Sequence, residues 1–278
     1  MRIEAVTSAQ NPKIKELLAL QEKSRLRREK NLFVVEGRRE LGHCIDAGYL
    51  IRTLFTCSEI CQEQDIEEIS EKILAQGPLP GQCQPSVIEV PAALYAKMAY
   101  RGGTEGLIAE AVMRPCGLED LKTKENPLII VLESVEKPGN LGAVLRSADS
   151  AGADAVIVCD PLTDLYNPNL IRASIGAIFS IPTVAVSSAM AIDWLKTNRI
   201  QILTAQLQDS ELYYDTDMTG GTAIVMGTES TGLTDIWRQN ADRHIRIPML
   251  GQLDSLNVSV SAAILLYEAV RQRNQQNR

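Results

Sequence analysis

At 278 residues the chain is long enough for about two domains, each with its own core. Its 45% hydrophobic and 23% charged content is that of a globular protein, no stretch approaches the roughly 18 apolar residues of a membrane span, and Met1-Arg2-Ile3-Glu4-Ala5 lacks the apolar core of a signal peptide. A formal charge of −7 argues against indiscriminate nucleic-acid binding, and six scattered cysteines without partners at zinc-ligand spacing point to free thiols in a reducing cytoplasm and to no metal. The charge is uneven. Residues 1–40 carry ten Lys/Arg against six Glu, a local net of +4, whereas 59–71 hold Glu59, Glu63, Asp65, Glu67, Glu68 and Glu71. Such a basic stretch fits either a phosphate-backbone footprint or a solvated helix face.

In chain order, Ser8 to Pro12 opens a helix that runs to about Gln21, with Ile14, Leu17, Leu18 and Leu20 as its apolar stripe. Leu32-Phe33-Val34-Val35 reads as a buried strand, Arg38 to Ala47 as a helix, and Ile51 to Thr56 as a strand. A helix over Ile66 to Gln76 and a strand over Ser86 to Val90 follow, so residues 1–112 form a small α/β domain. Arg101 to Gly106 is a loop without the Lys-Ser/Thr ending of a phosphate-cradling P-loop, and 113–126 reads as a linker.

The second domain, 127–278, starts with a strand over 127–132 and a helix whose Leu141, Val144, Leu145 and Ala148 share one face, stopped by Gly152. Another apolar strand, Ala155 to Cys159, makes this a right-handed crossover in a parallel sheet. Asn140 is expected at the helix N-cap, and Arg146 points away from the core, as a solvated arginine also would. Gly-x-Gly-x-x-Gly is absent after the first strand, which disfavours a conventional dinucleotide-type cofactor site.

Further strands are expected over Ile181 to Val186, Ile200 to Thr204 and Thr222 to Met226. The last empties into Gly227-Thr228-Glu229-Ser230-Thr231-Gly232, the kind of loop that lines a crevice at the carboxyl end of a parallel sheet. Ile245 and Ile247 then close on Pro248, and Gly251 is expected to turn the backbone with positive φ. Beyond it, Leu256, Val258 and Val260 alternate like a strand, while Ala262 to Arg273 favours a helix. Ser255 and Asn257 lie where an N-cap belongs, and an ordinary strand–turn–helix fits the same spacing.

Taken together, Asn140-x-Gly142-x-x-x-Arg146, Gly227-x-Glu229-x-x-Gly232, and Ile247-Pro248-Met249 leading to Ser255-Leu256-Asn257-Val258-Ser259 closely resemble the three motifs of the SpoU–TrmH family, RNA ribose 2′-O-methyltransferases of the SPOUT superfamily. The resemblance covers roughly 127–273 and includes Leu266-Tyr267-Glu268. Ser8 with Asn11-Pro12, and Phe33 to Gly37, resemble the substrate-binding domain attached to many members of the ribosomal-RNA branch. One departure is Glu136-Lys137, where members often carry Asp or Asn before the Pro-x-Asn.

The resemblance implies an α/β fold: a SPOUT-type parallel sheet with a deep trefoil knot, preceded by a small RNA-binding domain. It implies S-adenosyl-L-methionine bent in the knot against Gly227, Thr228, Ile247, Met249 and Leu256. It also implies a homodimer in which Arg146 lies near the partner's cofactor. Arg146 would be the catalytic residue, with Asn140, Glu229, Ser255 and Asn257 orienting it and the ribose. Neither His43 nor His244 falls on a motif, so a histidine base is not supported. The expected substrate is ribosomal RNA of the 23S type; transfer RNA and a non-catalytic RNA-binding or assembly role are the alternatives.

Overall fold

The computed structural model describes residues 2–79, 84–100, 105–122 and 124–276; of the loop expected over 101–106, residues 101–104 lie outside these. Two compact units emerge, Met1–Pro115 with Asp164–Ser180, and Cys116–Thr163 with Ile181–Arg278.

The first unit is built on a five-stranded sheet of β1 (Arg2–Ala5), β2 (Leu32–Glu36), β3 (Ile51–Thr56), β4 (Ser86–Glu89) and β5 (Leu107–Val112), in the order β1-β4-β3-β5-β2. β4 pairs parallel with β1 and β3, and β5 runs antiparallel to β2 and β3. The helix Pro12–Glu22 starts where expected: Asn11 accepts from the Lys13 N–H, and Pro12 occupies the first turn, where no amide partner is needed. Its buried Ile14, Leu17 and Leu20 join Val34, Phe55, Ile88 and Ile108 in one core.

The Asp164–Ser180 segment, in sequence part of the span expected to form the second domain, belongs to this unit. Aromatic contacts account for its place. Phe33 meets Tyr166 at 4.6 Å and Phe179 at 5.8 Å between ring centroids, and Tyr49 meets Phe179 at 5.1 Å. A buried ion pair adds to them: Arg27, 2% exposed, donates to Asp164 at 2.7 Å and to the Leu20 and Gln21 carbonyls. Its arginine sits in the expected basic stretch but faces inward.

The second unit carries a seven-stranded sheet, β6 (Leu128–Glu133), β7 (Ala155–Cys159), β8 (Thr183–Val186), β9 (Gln201–Ala205), β10 (Glu211–Leu212), β11 (Thr222–Met226) and β12 (Arg243–Arg246). The order is β10-β12-β9-β11-β6-β7-β8, and every pairing is parallel. Solid apolar runs suit this arrangement, because helices cover both faces and β6, β7 and β11 are buried along their length. Helices Ser188–Thr197 and Asp235–Asn240 pack on one face, Pro138–Ser150 and Val258–Gln276 on the other. The chain passes from β6 outward through β7 and β8, then crosses to β9 and β11 on the other side. The carboxyl ends of β6 and β11 therefore flank the point where the winding reverses, the usual place for a ligand crevice.

Three local expectations are corrected. Asn140 is not the N-cap: Lys137 takes that position, Pro138 occupies the first turn, and the Asn140 N–H bonds to the Lys137 carbonyl, so Asn140 lies inside the helix. Gly251 turns without a positive φ. The alternation over Leu256, Val258 and Val260 is the start of helix Val258–Gln276, not a strand. Gly152 does stop its helix in the left-handed region, at φ +66°.

Removing one partner of a buried pair strands the other, so Arg27→Ala should lower the unfolding free energy of the first unit by about 3 kcal/mol in urea titrations, with Arg27→Met losing less.

Candidate active site

Three loops leave the carboxyl ends of β6, β11 and β12 and meet around one carboxylate. Glu229 Oε1 accepts from Asn257 Nδ2 at 2.6 Å, from Asn140 Nδ2 at 3.1 Å and from the Val258 N–H at 3.4 Å, while Oε2 takes Lys137 Nζ at 3.3 Å. Asn257 Nδ2 also donates to Asn140 Oδ1 at 3.1 Å, closing a triangle. Asn257 is oriented from behind. Its Oδ1 caps the last helix by accepting from the Ser259 N–H at 3.0 Å and the Ser259 hydroxyl at 2.6 Å, which leaves its NH2 for Glu229. These donors, first the Val258 N–H and then Lys137, hold the Glu229 carboxyl below its ordinary range.

The loop carrying Glu229 is shaped by main-chain contact. A Cβ on Gly227 would stand 2.3 Å from the Gly232 carbonyl carbon and 2.5 Å from the Leu233 nitrogen, so only glycine lets the loop fold back this closely. Gly232 completes the turn at φ +69°, its N–H donating to the Thr228 carbonyl. The Thr228 hydroxyl accepts from the Thr231 N–H at 3.0 Å.

Beside this loop opens a cavity of about 490 Å³, within the range of small-molecule sites. Gly227, Thr228, Ile247, Met249 and Leu256 all line it, together with Glu229 and Ser255. Leu207, Val258 and Leu265 add apolar surface that sequence reasoning missed, and two atoms of lining residues, Gln206 Oε1 and Arg238 Nε, are buried without a protein partner. Main-chain groups, apolar side chains and unpaired polar atoms suit a flat heterocycle with a ribose and a sulfonium tail.

The remaining expected residues divide. Ser255 stands on the cavity rim with its hydroxyl on Asp254 at 3.2 Å, outside the Asn140–Glu229–Asn257 triangle. Arg146 is exposed on its helix, lines no part of this cavity, and its side chain has no hydrogen bond or ion pair among the described residues. Lys137, the departure from the family pattern, is an unexpected member of the cluster through its contact with Glu229. No group of three or more His, Cys, Asp or Glu side chains able to hold a metal occurs among the described residues.

Comparison with known proteins shows what the chain is similar to as a whole. The SpoU rRNA Methylase family model matches residues 127–267, and a model of the MRM3-like substrate binding domain matches 11–109. The 23S rRNA (guanosine-2′-O-)-methyltransferase RlmB of Blochmanniella floridana is 38% identical over 187 residues, 64% of this chain and 74% of that protein. A 23S rRNA (uridine(2479)-2′-O)-methyltransferase of Streptomyces viridochromogenes is 29% identical over 248 residues, 87% of this chain and 83% of that one. Among solved structures, the AdoMet-bound rRNA methyltransferase of Sinorhizobium meliloti superposes with a TM-score of 0.87 at 29% identity, covering 97% of this chain and 98% of that one.

Two outcomes test the site. Gly227→Ala should abolish S-adenosylmethionine binding in calorimetry, because the added methyl collides with main chain that has nowhere to go. A lowered Glu229 pKa keeps the carboxylate ionised, so the stability its contacts contribute should persist from alkaline through neutral pH and disappear only as pH falls through that lowered value. Urea titrations across a pH series should therefore show stability falling on the acid side, and less so in Glu229→Gln.

Proposed function

The chain belongs to the SpoU rRNA Methylase family, and from that premise we propose how its residues carry out methyl transfer. It is an S-adenosylmethionine-dependent RNA methyltransferase that modifies a ribose 2′-hydroxyl of ribosomal RNA. The observation that carries the mechanism is the convergence of Asn140, Glu229 and Asn257 at the edge of a glycine-shaped cavity. S-adenosylmethionine, when bound, supplies a methyl group on a positively charged sulfur that departs as a neutral thioether.

The cavity residues Gly227, Thr228, Ile247, Met249 and Leu256 hold the cofactor, largely through main chain and apolar contact. Alignment dominates such an in-line displacement, and a wall that cannot shift supplies it. Glu229, fixed by donors from Lys137 and Asn140 on one side and from Asn257 and Val258 on the other, orients Asn140 and Asn257 toward the acceptor ribose. Arg146 is the remaining requirement. A guanidinium is a planar fork of donors, so it acts as a clamp on the phosphate beside the target ribose and stabilises the alkoxide as the hydroxyl passes its proton to solvent water. Ser255, on the cavity rim, helps seat the ribose.

Arg146 does not line the cavity of its own chain, which supports a homodimer in which it serves the partner's site. A knotted path is supported by the course of the last helix. After β12 and the Ile247-to-Asn257 loop, Val258–Gln276 returns across β6 and β11 onto helix Pro138–Ser150. Its end is gripped by main chain: the Met218 N–H donates to Gln272 Oε1 at 2.8 Å, and Arg273 donates to the Met218, Gly220, Asn126 and Pro127 carbonyls. The 1–112 region, matched over 11–109 by the substrate-binding model, is the RNA-binding part, 113–126 the linker, and 127–278 the catalytic part.

Arg146→Ala should abolish methylation of ribosomal RNA while binding S-adenosylmethionine with the parent's affinity. Co-expressed with Gly227→Ala, it should recover about one quarter of parental turnover through mixed dimers that contain one complete site. Normal methylation by Arg146→Ala alone would reject its role, and mapping of 2′-O-methyl sites with and without the protein identifies the nucleotide.

A further inference from the structure

We propose that Glu133 is the positioning residue that holds the Gly227-to-Leu233 loop, and with it the Glu229 carboxylate, in its cofactor-binding shape; this rests on the cavity being the cofactor site. Glu133 ends β6 and is 3% exposed. One carboxylate oxygen accepts from the Thr234 N–H at 2.9 Å, and the other accepts from the Thr234 hydroxyl at 2.5 Å, with the Ser188 hydroxyl 3.3 Å away. Thr234 is the residue at which the loop re-enters regular structure. Its hydroxyl makes no cap bond to its own helix, having turned to Glu133 instead.

The same network grips the helix that follows. Trp237, fully buried, donates from its indole nitrogen to Ser188 Oγ at 3.0 Å, and Ser188 donates to Asp160 at 2.6 Å through its hydroxyl and at 3.1 Å through its N–H. On the other side of Glu133 the chain turns at once, Ser134 having φ +52°, toward Lys137 and Asn140. One buried carboxylate thus fixes both where the Asn140 segment departs and where the Glu229 loop closes. Stability alone does not call for this choice, because an apolar side chain in place of a buried charge network is commonly neutral or better for folding. Gly227 anchors the loop's first end by close packing; Glu133 anchors its second.

The test is calorimetry with S-adenosylhomocysteine combined with amide hydrogen exchange on the full chain. Glu133→Ala should bind about tenfold or more weakly, as expected for a lost pair of buried hydrogen bonds. Exchange should quicken at 228–234 while the β6 and β11 amides keep their protection. Glu133→Gln, which keeps an acceptor for the Thr234 N–H, should stay within about threefold of the parent, and Thr234→Val, which loses only the hydroxyl bond, should fall between. Parental affinity in both Glu133→Ala and Thr234→Val overturns the proposal, as does loss of protection spread evenly over the sheet, which would make Glu133 a core stabiliser. If Glu133→Ala fails to fold, the Thr234→Val titration decides alone. No binding by the parent chain would sink the cofactor site itself, a separate result.

Discussion

A single carboxylate with four donors holds the catalytic half together. Glu229 draws its partners from Lys137 and Asn140 at the start of one helix and from Asn257 and Val258 at the start of another, tying together the ends of two helices that also pack on each other. An ionised carboxylate suits the task because it only accepts and offers several lone-pair positions, so asparagine amides and a backbone N–H can converge on it without competing. Asn257 links this convergence to the fold, since one end of its amide caps a helix while the other reaches the carboxylate. The carboxylate's contact and the helix cap thus depend on one side chain.

The cavity beside it takes its form mainly from backbone. Where Gly227 meets Gly232 there is no side chain to trim or enlarge, and the contact is main chain against main chain. Such a wall is stiff, which is what a reaction governed by alignment requires. Polar and apolar side chains share the lining, Gln206 and Arg238 standing beside Ile247, Met249, Leu256 and Leu265.

Much of this was legible in the sequence, for definite reasons. Strands buried on both faces are near-unbroken apolar runs, so Ala155–Cys159 and Thr222–Met226 could be read to the residue. Gly227, Thr228, Ile247, Met249 and Leu256 were singled out by resemblance to the SpoU–TrmH motifs rather than by spacing, and all five line one cavity. The cap expected near Asn257 is present, whereas Lys137 and Pro138 moved the start of helix Pro138–Ser150 and carried Asn140 inside it. Other features escaped because tertiary contact sets them. Ser255 was grouped with Asn257 by proximity in sequence, yet the two side chains face different partners. Glu133 gave no signal at all, because a glutamate ending a strand looks like any solvent-facing boundary. The short helices Pro168–Ala173 and Ala177–Ser180 are too brief to show a period, and aromatic packing rather than pattern decides where they belong.

The grip of Arg273 on the carbonyls of Asn126 and Pro127 joins groups separated by 147 and 146 positions along the chain. Contacts of such span form late, since their closing entropy must be met before they give anything back. A ribosome making this protein therefore extrudes β6, β11 and the Glu229 loop well before the helix that finishes the pocket. Until Val258–Gln276 has emerged, the cavity beside that loop lacks the wall that Val258, Ser261 and Leu265 supply.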